Sequence, residues 1–298
     1  MSAPSPSLTG PAGGIRRRRR GPRTWLAALP LIVFTGLCFG LPLAALLHGA
    51  VTRTDPATGA TALTGEHIER SLQGPYLGSL AGSVQLSALT AVIGSLAGLL
   101  IAQAIVTSRR QWLRGAALTA SGVLANFGGV PLAFAFIATA GISGVLTQLA
   151  ELDRLGWNLY SFTGLAVVYL YFLTPLMVLV IVPALDGLRP QWREAAQNTG
   201  ASSWQYWRMV ALPVLAPSLL GGFVLLFGSA FAAHATAAAL VGGSVPLVTL
   251  KIADALSGNV LVGQENVALA LSLDMIVIAG LVMAVYLPLQ RRSARWLR

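Results

Sequence analysis

Few residues in this chain are equipped for chemistry. Its 298 residues include ten acids, three histidines, one cysteine (Cys38) and one lysine (Lys251). A phosphate-binding loop needs Gly-Lys, and Lys251 follows Leu250, so the sequence holds no nucleotide motif of that type. No Cys/His spacing suits a metal, no serine stands in a nucleophile elbow, and no carboxylate pair occurs in a water-facing domain. Cys38 lies in an apolar run and reads as a small core residue. Two features are left. His234 and Asp274 are ionisable residues inside apolar segments, where each is costly and needs a reason. The stretch Arg189–Pro213 carries three arginines, one acid and a run of amides and hydroxyls between two long oily segments.

The elements that must position these residues are membrane spans. The chain is 55% hydrophobic and only 10% charged, with a mean hydropathy of +0.71. Soluble domains carry about 25% charged residues, so the bilayer is the expected solvent. The net charge of +10 sits at the edges of apolar runs, which speaks for membrane orientation and against nucleic acid as a partner. Six spans are expected at about 24–48, 79–106, 116–140, 162–185, 214–240 and 266–289. Each is long enough for a ~30 Å hydrocarbon core at ~1.5 Å per residue. The first is too long for a cleaved leader and is read as retained. Gly128-Gly129 and Pro131 should kink the third. Small-xxx-small pairs at Gly36/Gly40, Gly78/Gly82 and Gly94/Gly98 permit close helix contact but recur in any multi-pass protein.

Six spans place both termini on one side. Sixteen of the twenty Lys and Arg residues then share that side, and seven of the ten acids lie on the other. Positive residues mark the cytoplasm, so both termini and the 186–213 loop are expected inside. The fold class is therefore all-α and polytopic, with six transmembrane helices, in a cell (inner or cytoplasmic) membrane. Residues 1–23 form a basic cytoplasmic tail expected to be disordered, and 24–78 hold the first transmembrane helix and an external loop. A short basic tail, 291–298, ends the chain.

Within the 189–213 stretch, Pro190 suits a first helical turn. Trp192, Ala195, Ala196 and Thr199 then make one helical stripe of mostly small residues beside one large ring, with Glu194 and Gln197 off it. Gly200 stands where a helix end wants a left-handed residue. Ser202-x-x-Gln205 is a capping-box pattern opening a second helix, whose Trp204, Tyr206, Trp207 and Arg208 suit a membrane interface. Leu212-Pro213 should end that helix and start the fifth span. The residues alone leave two readings open: an ordinary cytoplasmic loop, or a docking surface for a cytoplasmic partner.

The spacing Glu194-Ala195-Ala196, three residues, Gly200, nine residues, Val210, one residue, Leu212-Pro213 resembles the EAA loop of membrane subunits of binding-protein-dependent ABC importers. Val210 stands where that family has Ile, and Thr199 where Leu is common. The resemblance covers residues 79–290 and implies a type I permease domain with its coupling loop at 186–213. It also implies that Arg193, Glu194, Ala195, Ala196, Gln197, Gly200, Leu212 and Pro213 form the surface that couples to a separate cytoplasmic ATPase. Glu194 would meet a basic residue there, the two alanines would give close fit, and Gly200 would allow the turn. The implied partners are two ATPase subunits, a second permease subunit (a copy or a related chain) and an extracytoplasmic solute-binding protein. No cofactor is implied for this chain, since the ATPase binds the ATP, and no enzymatic site of its own is expected.

His234 and Asp274 would lie ~9 and ~12 Å from the outer ends of spans five and six. They are either a hydrogen-bonded pair locking two helices or groups lining the solute pathway, where Asp274 would meet a cationic solute or a gate. Gln85, Gln103 and Asn126 are weaker pathway candidates. The stretch Trp192–Gly200, with Pro217–Phe223, is most similar to permeases of the spermidine/putrescine, aminophosphonate, ferric-iron and thiamine group. The solute is therefore expected to be small and polar. An ion-coupled secondary transporter is the alternative, with His234 and Asp274 as its proton carriers.

Overall fold

A computed structural model describes residues 24–54, 61–108, 110–151, 154, 156–257 and 265–294. The expected tail 1–23, residues 295–298 of the expected tail 291–298, and Asp55, Arg109 and Asp153 lie outside these residues. The chain divides into two compact units, Met1–Ala45 and Leu46–Arg298. In the first, α1 (Thr24–Thr35) passes through a π-helical turn, Gly36–Gly40, into α2 (Leu41–Val51). Cys38 is exposed there, contrary to the core position expected, because among the described residues of this unit a single apolar helix has no second element to bury it.

The second unit begins within α2. A small antiparallel hairpin follows, with β1 (Thr52–Thr54) paired to β2 (Thr61–Leu63) beside the helices. The hairpin leads into α3 (Glu66–Ser71), α4 (Gly74–Thr107), α5 (Gln111–Asn126), α6 (Val130–Ala140) and α7 (Val145–Leu149). Next come α8 (Phe162–Asp186), α9 (Pro190–Asn198), α10 (Ser203–Tyr206), α11 (Leu212–Ala232), α12 (Ala235–Leu240), α13 (Val248–Leu256) and α14 (Glu265–Ala294). Among the described residues, six helical stretches are long and apolar enough to cross a membrane: Leu29–Val51, Gly74–Thr107, Val130–Leu149, Phe162–Asp186, Ser203–Ala232 and Glu265–Arg292. The expected six-span, largely helical architecture stands, with shifted boundaries. The second span starts at Gly74, where Pro75 occupies a first-turn position that tolerates its missing N–H.

The core is built around α8, which packs on α4, α5 and α11. Its Leu165, Val168, Tyr169, Leu173, Met177 and Ile181 are almost wholly buried. Gly94 and Gly98 let α4 approach it. A Cβ on Gly98 would stand 2.5 Å from Met177 Cβ and 3.0 Å from the Thr174 carbonyl oxygen. Of the three small-residue pairs, this one forms the helix contact. Gly36, Gly40 and Gly78 meet nothing within 4 Å, while Gly82 backs onto the Pro246 carbonyl oxygen. The segment between the fifth and sixth expected spans holds α13. This helix buries Val248, Leu250 and Ala255, and the Val248 N–H donates to Ser83 Oγ of α4 at 2.9 Å.

Candidate functional site: the 186–213 loop and the recess between two broken helices

The polar stretch folds as two short helices about a tight turn. Pro190 sits in the first turn of α9, as its lack of an N–H predicts. At the far end Gly200 has φ +78°. Its N–H donates to the Gln197 carbonyl at 2.9 Å, and the Ala201 N–H donates to the Ala196 carbonyl at 2.9 Å. These two bonds define a Schellman turn, which satisfies the last carbonyls of α9. Ser202 then opens α10 with a complete capping box: Ser202 N–H to Gln205 Oε1 at 2.7 Å, and Gln205 N–H to Ser202 Oγ at 3.2 Å. Both local signals in the sequence formed as written.

The stripe Trp192, Ala195, Ala196 and Thr199 lines a groove of about 820 Å³. Gln205, Tyr206, Met209, Val210 and Val214 line it as well, together with Gly187 and Arg189. The Arg189 guanidinium lies 6.0 Å from the centre of the Trp192 ring, near the limit of a cation–π contact. Arg193, Glu194 and Gln197 are exposed, off the groove. The loop thus presents an exposed charged and amide face on one side and a mostly apolar groove on the other.

Leu212-Pro213 does not end the second helix. The chain runs on through a π-helical turn, Trp207–Ala211, directly into α11. A proline inside an α-helix lacks one N–H and crowds the carbonyl four residues back, here Met209. The wider π turn, with the Leu212 N–H reaching the Trp207 carbonyl, accommodates both faults without a break. Leu212 is half-buried and Pro213 exposed. The loop is therefore continuous with a membrane helix.

The third and fifth spans differ from expectation in a related way. The third is not kinked but broken: α5 ends at Asn126 and α6 starts at Val130, with Gly129 at φ +77°. The fifth ends at Ala232, and α12 follows after Ala233 and His234. The two breaks face each other. The Gly129 N–H donates to Thr236 Oγ1 at 2.9 Å, and the Thr236 hydroxyl donates to the Gly129 carbonyl at 3.3 Å. The Tyr169 hydroxyl of α8 donates to the Ala233 carbonyl at 2.9 Å, satisfying an acceptor that the break frees. Between the breaks lies a recess of about 350 Å³, lined by Asn126, Gly128, Gly129, Phe172, His234 and Thr236 among others. Non-helical backbone at membrane depth is tolerated where it lines a cavity.

His234 is exposed on this recess with Asn126. Asp274 is elsewhere. It lies on α14 beside Ser71 of α3, and its Oδ2 is buried without a hydrogen-bond partner. The Ser71 hydroxyl donates to the Ile68 carbonyl at 2.8 Å. No hydrogen bond or ion pair among the described residues joins His234 to Asp274, so of the two readings the hydrogen-bonded pair is not formed. Depth along a span was the only guide to that pairing, and it carries no information on which face each helix turns. Asp274→Asn is expected to leave uptake within about twofold of wild type and the thermal midpoint in detergent unchanged or raised, since a carboxylate with one unpartnered buried oxygen gives little to stability. A loss of about tenfold or more in a stable Asn variant would return Asp274 to the pathway.

A chain of apolar spans, a helix–turn–helix loop continuous with one of them, and a recess between two broken helices define a multi-pass membrane protein. Residues 91–298 match the family described as binding-protein-dependent transport system inner membrane component, and the chain belongs to that family. It is 30% identical over 122 residues to the thiamine transport system permease protein ThiP of Haemophilus influenzae, covering 40% of this chain and 22% of that protein. It is 38% identical over 68 residues to the sulfate transport system permease protein CysT of Escherichia coli, covering 23% of this chain and 24% of that one. The matched segments thus span about a quarter or less of these relatives. The fold is also that of a bacterial ABC transporter that imports the acidic polysaccharide alginate, with a TM-score of 0.68 at 18% identity over 91% of this chain and 95% of that one.

Proposed function

We propose that this chain is one membrane-spanning permease subunit of an ABC importer. In this reading it forms part of the solute pathway and takes its conformational drive from a separate ATPase docked on α9. Both termini and the 186–213 loop face the cytoplasm, as the partition of positive residues favours. A second permease subunit completes the pathway, and an extracytoplasmic protein delivers the solute. The observation that carries the reading is the loop itself. Glu194, Arg193 and Gln197 stand exposed on a helix whose end is set by the Schellman turn at Gly200 and whose successor runs unbroken into α11. A push on α9 is thereby delivered to a helix that ends at the recess.

The solute in this reading is small and polar, of the polyamine, phosphonate, iron or thiamine class. Similarity to a thiamine permease supports it, and similarity to sulfate permeases adds an oxyanion to the solutes worth testing. His234 and Asn126 supply the polar contacts on the pathway side. Glu194→Lys is the direct test. The variant should insert normally, while co-purified ATPase and uptake both fall by about tenfold or more, the loss of one charge-assisted contact worth ~1.4 kcal/mol or above. Wild-type uptake by a well-expressed Glu194→Lys protein would overturn the docking role.

A further inference from the structure

One ion pair joins the ends of two helices that are far apart in sequence. Arg114 of α5 is hydrogen-bonded and ion-paired to Asp186, the last residue of α8. Both charges oppose the dipole of their own helix: a cation in the first turns of α5, an anion at the end of α8. Neither is placed for the benefit of its own helix, and each offsets the other. The side chains are 35% and 39% exposed, so the pair contributes little to folding. Its value lies in what it ties together.

Asp186 is four residues ahead of Pro190, and the link between them is short and held. The Gly187 N–H donates to the Pro183 carbonyl at 3.2 Å, the Leu188 N–H to the Leu185 carbonyl at 3.1 Å, and Leu188 packs on the core. Arg114 stands at the start of a 16-residue helix, a rod of ~24 Å. The far end of that rod is Asn126, at the recess, and just beyond it Gly129 is bonded to Thr236. α5 and α8 pack along each other between these points.

We propose that Arg114 and Asp186 are positioning residues that carry displacement of the 186–213 loop into α5, and so into the wall of the recess. The proposal rests on the docking of an ATPase at α9. Without the pair, α9 can move while α5 stays, and hydrolysis no longer shifts the recess.

The test uses the full chain purified with its ATPase and companion subunits and returned to vesicles. A reporter, Ala235→Cys in a Cys38→Ser background, is labelled with a membrane-impermeant maleimide with and without ATP. Ala235 lines the recess and is exposed. With the native pair, ATP should change the labelling rate by about fivefold or more. In Arg114→Gln, Asp186→Asn and the charge reversals Arg114→Asp and Asp186→Arg, ATPase turnover should stay within about twofold while the ATP-dependent change shrinks to under about twofold. The doubly exchanged Arg114→Asp/Asp186→Arg chain should recover it, which a purely structural role for either residue does not predict. Single variants with the full response, an exchange that fails to restore it, or a parent reporter that ignores ATP while hydrolysis proceeds would each overturn the proposal. A parent complex that does not retain the ATPase overturns the docking reading instead.

Discussion

Gly200→Pro is expected to abolish uptake and coupled ATP hydrolysis while leaving the chain in the membrane. Gly200 has φ +78°, and proline is confined near −65°. The substitution also removes the N–H that bonds to the Gln197 carbonyl at 2.9 Å. Together these cost ~3 kcal/mol or more, enough to undo a turn that holds two short helices in one orientation. Gly200→Ala separates strain from crowding. Nothing lies within 4 Å of an added Cβ, so alanine meets only the left-handed penalty of ~1–2 kcal/mol. The series Gly, Ala, Pro should therefore show graded loss of ATPase co-purification and uptake, read on membranes with equal amounts of the chain. Uptake by Gly200→Pro at the wild-type rate would mean that the turn does not set the docking geometry.

Gly98→Val should loosen the packing of α4 on α8 and destabilise the chain. An added Cβ meets Met177 Cβ at 2.5 Å, Met177 Cγ at 2.7 Å and the Thr174 carbonyl oxygen at 3.0 Å. Two of these neighbours are held by the α8 backbone and cannot swing away. Overpacking of this kind costs ~1–3 kcal/mol, and the branched side chain adds to it. The thermal midpoint in detergent should drop by about 5–10 °C, with less chain recovered from the membrane. Gly78→Ala, in the same helix with nothing within 4 Å, is the control and should be neutral or slightly stabilising. A Gly98→Val midpoint equal to that of the control would show that α4 and α8 can separate without cost.

The loop was the most legible part of the molecule because its signals are local. A proline at the head of α9, a glycine past its end and Ser202-x-x-Gln205 each act through backbone groups within six residues, and all three formed as read. Leu212-Pro213 misled for the opposite reason. Proline removes a donor, but whether the helix breaks or absorbs the loss in a π turn depends on what holds the helix on either side. Here Trp207 packs on the core and Ala211 and Leu215 are buried, so the axis continues.

The two helix breaks show the same division. Gly128-Gly129-Val130-Pro131 announces a disruption in the third span, though not its extent. The run Phe231–Leu240 contains neither glycine nor proline, and its alanines favour helix. The break at Ala233-His234 is supported by the Tyr169 hydroxyl, from a residue 64 positions away, and the neighbouring Thr236 is bonded to Gly129, 107 positions away. No window of sequence contains those partners. The Arg114–Asp186 pair, 72 positions apart, was equally hidden.

The sequence by itself determined the solvent, the number of spans, the partition of charge about them and the local form of the 186–213 loop. Each of these depends on composition, run length or bonds between near neighbours. Only the tertiary structure decided which glycine pair became a contact, where two helices break, that His234 faces the recess and that Asp274 turns to α3 instead. Those outcomes depend on helix rotation and on hydrogen bonds between distant segments, and apolar spans with so few polar residues carry almost no rotational mark in their sequence.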